Sequence, residues 1–507
     1  MNVRQATRNI FSNWMAQGVA IGLAFFVTPF VVGHLGHTDY GIWTLVMSIT
    51  GCMGFMDFGI RTAVIKYVAE SRATNNALML SRVMSASVSF FLLMGVVIVT
   101  ASGVIGLVFP RAFGLPLERW TEIQAVVVVA GATLAAQIVF APFHGALCGT
   151  HRFDLSSSVR IAAMLLNGAL VVGVLGHTHN LVALAATGLC VSLIEGLLIV
   201  ATTRLVVRGM RISWRMVQWG AFRQLASYGS YNVVFGLALR GLSYADVLFI
   251  GAAAGAAEVT VYSLTKLLCV YIEDFLGGLA VTITPAASEH SAREHPLDDL
   301  VIRATKLTLV LAGPAILFLT VFGTSFFALW LGPGFEGAGS ILTCLALAAF
   351  ANVMQLPLNA ALRGGGVEAV RFLAWAKVGQ VGLNVALSWW LIGRYGLPGV
   401  ALGTAIASVV VNVLVIPVRG CALLKVSLRA LSMAAGRILA ILVPAFGVAQ
   451  LLVRPMIHAS WMGLSMAIAC SVGLFLVLAG LGFDRAERSV YVRGLLVRGR
   501  QSLPASA

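Results

Sequence analysis

The chain has 507 residues, 59% of them hydrophobic and 10% charged, with a mean hydropathy of +0.94. Soluble domains carry roughly a quarter charged residues, so this composition excludes most soluble enzymes; it fits an integral membrane protein with room for about a dozen or more spans and no large soluble domain. The 34 Lys and Arg against 19 Asp and Glu give a formal charge of +15, which among apolar segments is a question of topology before it is one of nucleic acid.

Apolar stretches predict fourteen transmembrane helices, centred near Ala20, Ser48, Gly95, Gly131, Leu166, Leu189, Leu239, Cys269, Leu317, Leu347, Val385, Val409, Pro444 and Gly473. The first is long enough to span and no small-residue cleavage site follows it, so it reads as a signal anchor. Within it Asn13, Gln17, Ala20, Ala24 and Thr28 share one narrow helical face, which Pro29 interrupts. The second span carries Trp43, Thr50, Gly54, Asp57 and Arg61 in the same way. Polar groups in hydrocarbon are costly and face a cavity or one another. Asp57 and Arg61 can neutralise each other, or Arg61 can snorkel to the surface. Asp57-Phe58-Gly59 spells a kinase signature but lies inside a span with no catalytic loop, so the match is accidental.

In the fourth and sixth spans His144 and Glu195 read as structural, helix-packing groups. The connection from Arg204 to Arg223 is the most basic internal one. The seventh span then shows a stripe of Asn232, Gly236, Ser243 and Asp246, flanked by Arg240 and Tyr244; the eighth shows Tyr262, Lys266, Cys269, Glu273 and Gly277. Arg240 lies too deep to snorkel, which leaves a cavity or a pairing with Asp246 or Glu273, whereas Lys266 can face a cavity or snorkel outwards. His34, His37, His177 and His179 fall in outside loops. Gly364-Gly365-Gly366 is too short for a phosphate fingerprint, and no Walker motif occurs. The seven cysteines are scattered, so free thiols and no metal site are expected.

Counted from a cytoplasmic start, the outside connections hold only Arg111, Arg119, Arg394 and Arg454; Arg61, Arg240 and Lys266 fall within spans, leaving 27 of the 34 basic residues on the inner side. That bias places both termini in the cytoplasm and sets the basic residues against anionic headgroups, with no nucleic-acid partner implied. A shift of 219 lays Asn13 on Asn232, Gly59 on Gly278, Glu70 on Glu289 and Arg152-Phe153 on Arg371-Phe372. This pattern predicts an all-α polytopic membrane protein whose two six-helix lobes are related by a parallel internal repeat, plus two C-terminal helices. The expected parts are an N-lobe over 1–205, a basic linker over 206–225, a C-lobe over 226–425, two added helices over 426–484 and a basic tail over 485–507.

The opening Thr28-Pro29, Leu35 to Trp43, Asp57-Phe58-Gly59 and Lys66 to Glu70, with Gly149-Thr150-His151-Arg152-Phe153 after the fourth span, resembles Wzx-type polysaccharide-biosynthesis flippases. These belong to the multidrug/oligosaccharidyl-lipid/polysaccharide superfamily, which also holds lipid II flippases and multidrug antiporters. The resemblance implies movement of an undecaprenyl-diphosphate-linked oligosaccharide from the cytoplasmic to the outer leaflet of a bacterial inner membrane, by a monomer that uses no cofactor and works beside polysaccharide polymerase and assembly proteins. It also implies cations in an inter-lobe cavity, and Arg61, Arg240 and Lys266 match by location. A guanidinium suits a diphosphate because it pairs bidentately and stays charged. Asn13, Gln17, Asn232, Ser243, Tyr244 and Tyr262 would then meet the glycan, and Asp57, Asp246 and Glu273 are candidates for H+ or Na+ coupling. An ion-coupled multidrug antiporter of the same superfamily is the nearer alternative. A membrane-embedded polysaccharide polymerase or ligase is the farther one, since it would need a sizeable outside loop that the sequence lacks.

Overall fold

A computed structural model describes residues 3–57, 60–74, 76–150, 152–207, 209–216, 230–278, 283–284, 287–288, 296–332, 335, 338–454 and 460–479. Phe58, Gly59, His151 and Glu289 of the sequence patterns, the tail 485–507, and the side chains of Asn13 and Asn232 lie outside the described residues.

Every regular element among the described residues is helical. In chain order the helices are α1 (Val3–Met53), α2 (Ile60–Ala73), α3 (Ala77–Ala112), α4 (Trp120–Gly149), α5 (Phe153–His177), α6 (Leu181–Val206), α7 (Ser230–Ala253), α8 (Ala256–Gly277), α9 (Asp298–Leu317), α10 (Gly323–Leu331), α11 (Ala338–Met354), α12 (Leu356–Gly364), α13 (Val367–Tyr395), α14 (Leu397–Val409), α15 (Ile416–Leu424), α16 (Leu428–Val448) and α17 (Trp461–Ala479). The 51 residues of α1 would run about 77 Å if straight, against a hydrocarbon core of about 30 Å. Gly36 breaks it into two arms with φ 74° and ψ 173°, a conformation that a residue with a Cβ adopts only under strain.

Three helix junctions carry a π turn near a proline. Phe318–Phe322 follows Pro314 between α9 and α10, Val410–Val415 precedes Pro417 between α14 and α15, and Ala449–Val453 follows Pro444 at the end of α16. A proline withholds one backbone donor, and a widened turn is one way the helix accommodates the gap. Asn76 and Asn180 cap α3 and α6, accepting from Met79 N at 2.9 Å and Val182 N at 2.7 Å.

Among the described residues, eleven stretches are long and apolar enough to cross a membrane, the first containing both arms of α1. Helices α8 and α13 are comparably long but more polar, with Lys266 and Glu273 on one and Lys377, Gln380 and Asn384 on the other. All fourteen predicted span centres lie on helices. On α3 the large residues Leu93, Val96, Val97, Val104, Leu107 and Val108 are all exposed, an apolar outer face that suits lipid. The chain is an all-helical, multi-pass membrane protein.

The chain divides into two compact units, 1–267 with 370–407, and 268–369 with 408–507. The first unit packs α2, α3, α4 and α6 around a cluster including Ile60, Val64, Met84, Phe91, Ile98, Leu147 and Ile199. Small residues allow close approach there: Gly149 of α4 lies against α2 near Val68. The second unit packs α9, α11 and α16 through Leu309, Met354 and Ile438, and Gly313 of α9 receives the Phe475 ring from α17.

Two sequence expectations change here. The stripe from Trp43 to Arg61 does not run on one helix: α1 ends at Met53, a 3₁₀ turn spans Gly54–Asp57, and Arg61 stands exposed on the first turn of the separate helix α2. Basic residues assigned to cytoplasmic connections also enter helices. Lys377 lies about 15 Å along α13, 4% exposed, and donates to Gln380 Oε1 at 2.9 Å, and Arg160 sits two turns into α5. Long helices absorb such residues wherever an internal partner or cavity satisfies them, which a count of charges per connection cannot register.

Candidate functional site

Arg240 lies near the middle of α7, and its Nη1 donates to the Gly51 carbonyl at 2.8 Å. Gly51 is within the last turn of α1, where carbonyls lack helical partners and the helix dipole is negative. The guanidinium lies where a Cβ on Gly54 would stand, and the Tyr244 ring fills the corresponding space at Gly51. Two glycines three residues apart thus admit the arginine and tyrosine of α7 against the end of α1. Arg240 makes no salt bridge with a described carboxylate, so its remaining donors are available to an anion.

Six residues further along α7, the polar groups of α7, α8, α13 and α14 converge on Asp246, which is 2% exposed. Its Oδ2 accepts from Lys266 Nζ at 3.1 Å and Tyr262 OH at 2.8 Å, its Oδ1 accepts from Asn384 Nδ2 at 2.8 Å, and the Thr404 hydroxyl, 3.2 Å from Oδ2, shares its one proton among Asp246, Asn384 Oδ1 and Val400 O. Ser388 Oγ donates to Asn384 Oδ1 at 3.1 Å. Lys266 spends its other two donors on the Leu242 and Ser243 carbonyls at 3.0 and 2.9 Å. The ammonium is therefore fully satisfied inside the protein, and the pair carries no net charge.

The expected site residues are thus only partly brought together. Asp246, paired with Arg240 or left open in the sequence reading, belongs to Lys266. Tyr262, expected at the glycan, is wholly buried with its hydroxyl on Asp246. Ser243 is exposed but donates within its own helix to Leu239 O at 2.9 Å, and Gln17 is half-buried on the first arm of α1. Asp57 accepts from the Arg61 backbone N–H at 3.4 Å, a long contact at the start of α2. In the second unit Glu273 Oε1 accepts from Asn352 Nδ2 at 2.9 Å, and Asn412 Nδ2 donates to Asn352 Oδ1 at 2.8 Å.

Sequence reasoning missed Asn384, Ser388 and Thr404, isolated polar residues in otherwise apolar runs. It also missed a cavity of about 360 Å³ lined by the second arm of α1 with α4, α5 and α6, where Arg160, Asn167 and Gln137 lie. The available signal was the presence of single amides and charges at mid-span on several helices; their convergence was not visible without coordinates.

The chain matches the family described as polysaccharide biosynthesis protein over residues 34–338. It is 23% identical to the "Probable low-salt glycan biosynthesis flippase Agl15" of Haloferax volcanii, over 80% of this chain and 82% of that one. It is 20% identical to the "Putative O-antigen transporter" of Shigella flexneri, over 78% and 93%. Both relatives are named for transport and not for a chemical reaction. Among solved structures, the fold is similar to lipid II flippase MurJ in an inward closed conformation, with TM-score 0.67, 14% identity and coverage of 95% and 100%. It is similar also to an inward-facing multidrug resistance MATE family transporter of the MOP superfamily, with TM-score 0.66, 18% identity and coverage of 82% and 96%.

Proposed function

The chain belongs to the polysaccharide biosynthesis protein family, and from that premise we propose that it is a Wzx-type flippase carrying an undecaprenyl-diphosphate-linked oligosaccharide from the cytoplasmic to the periplasmic leaflet of a bacterial inner membrane. The observation that carries the reading is Arg240: a permanently charged group at mid-span, seated on a helix-end carbonyl and salt-bridged to no described carboxylate. A diphosphate entering hydrocarbon needs such a partner, and a planar fork offers it two parallel bonds. Arg61, exposed on the first turn of α2, is the second candidate for the diphosphate. Lys266 joins them only by giving up three internal bonds.

In this proposal the lobes over 1–205 and 226–425 alternate access around the site, both termini are cytoplasmic, and the polymerase and assembly proteins act on the delivered glycan. Asp57 and Glu273 remain the candidates for H+ or Na+ coupling. Asp246, with four internal partners, is poorly placed to exchange an ion, which also weighs against the ion-coupled antiporter reading at this carboxylate.

The test is replacement of Arg240 by Ala and by Lys in a host lacking the native gene. Surface polysaccharide is expected to be lost with Ala and reduced with Lys at unchanged protein level. Normal export by the Ala variant would remove Arg240 from the mechanism.

A further inference from the structure

The cavity within the first unit has a chemistry that the diphosphate site does not explain. At about 360 Å³ it falls in the size range of small-molecule sites, roughly 300–1,000 Å³, and would otherwise hold about a dozen waters. Trp43 lines it from the second arm of α1, Gln137 from α4, Arg160 and Asn167 from α5, and Ser192 and Glu195 from α6. Arg160 and Asn167 are seven residues apart and so share a face of α5, about 10 Å apart along its axis.

These groups are unevenly satisfied. Gln137 Nε2 donates to Ser192 Oγ at 3.2 Å. Glu195 Oε1 lies 3.6 Å from His144 Nε2, beyond hydrogen-bond distance, while the other ring nitrogen of His144 meets Ser156 Oγ at 3.0 Å. Arg160 and Asn167, by contrast, make no hydrogen bond or ion pair with any described residue. Arg160 is exposed and Asn167 part-buried where they line the cavity, so both can turn unused donors to a polar occupant. An acyl chain would leave both unsatisfied, and a lone metal cation would be repelled by Arg160. A sugar ring answers the whole set: its hydroxyls both donate and accept, matching donors on Arg160, Asn167 and Gln137 and acceptors on Glu195 and Asn167, while its C–H face suits the Trp43 indole.

We propose that this cavity is a saccharide-binding site that takes one pyranose residue of the transported glycan. The proposal rests on the flippase reading and deepens it, because it separates recognition of the glycan from recognition of the diphosphate. It also moves the principal glycan contacts away from the stripe of Asn13, Gln17, Asn232, Ser243, Tyr244 and Tyr262 expected from the sequence.

The experiment is equilibrium binding to the full chain in lipid nanodiscs with two probes, the lipid-linked glycan extracted from the host and undecaprenyl diphosphate without sugar. The native protein should bind the glycan-bearing lipid more tightly. Asn167→Leu and Arg160→Met should each weaken that binding about tenfold and leave undecaprenyl diphosphate unchanged. Trp43→Leu should behave likewise while Trp43→Phe retains binding, a rescue that a purely structural role would not show. Undiminished glycan preference in these variants, or equal losses for both probes, overturns the saccharide site and leaves the flippase reading standing. A native protein that binds neither probe overturns both.

Discussion

The Lys266–Asp246 pair gives a prediction whose size follows from the geometry. Replacing Lys266 with Met leaves the Asp246 carboxylate, whose side chain is 1% exposed, with three neutral donors and no counter-charge. Breaking a buried pair in this way costs about 3–5 kcal/mol. Replacing Asp246 with Asn is milder. The ammonium keeps two backbone carbonyls, and the Lys266 side chain is 15% exposed, so the loss is that of one charge-assisted bond, about 1.5–3 kcal/mol. The double variant removes both charges, leaves Tyr262, Asn384 and Thr404 facing a neutral amide, and should lie closer to the native protein than Lys266→Met does. The coupling between the two sites should therefore reach about 2 kcal/mol, well above the additive limit for independent sites. Reversible unfolding of the four proteins in mixed detergent micelles by denaturant titration measures this cycle. A double variant whose loss equals the sum of the two single losses would refute the reasoning.

Other outcomes are equally specific. Gly54→Val should displace the Arg240 guanidinium and abolish export although Arg240 itself is intact; export at native levels would show that the close approach is dispensable. Gly36→Ala should lower stability by about 1–2 kcal/mol because of the positive φ, read as a lower denaturant midpoint, and an unchanged midpoint would contradict it. Arg119 bonds Asp39 and Glu122 at a partly exposed position, so Arg119→Ala should cost less than about 1 kcal/mol and leave export normal, and a larger loss would mark it as a functional latch.

The fourteen span centres were legible because hydrocarbon requires of most spans a run of about 20 apolar residues, and that requirement is written locally; α8 and α13 are the more polar exceptions. What is not local was not legible. The helical spacing of Trp43 to Arg61 read as one stripe, yet Gly54 and the 3₁₀ turn end the helix before Arg61. Lys266 and Asp246 stood out as charges, but which of Arg240 or Lys266 takes the carboxylate depends on how α7 and α8 are rotated about their axes. Asn384 and Thr404, the other side chains on Asp246, looked unremarkable in their own segments. Arg160 was counted with a connection, whereas α5 begins at Phe153 and Arg160 lies on that helix.

The central claim is translocation of a lipid-linked glycan, and its most direct measurement is the leaflet in which that lipid resides when the protein is depleted. Spheroplasts treated with a membrane-impermeant periodate reagent report only outward-facing sugars. The account predicts that on depletion the lipid-linked glycan accumulates and is protected from oxidation, and that native protein, but not Arg240→Ala, restores its reactivity. Full oxidation of the glycan in depleted cells would contradict it.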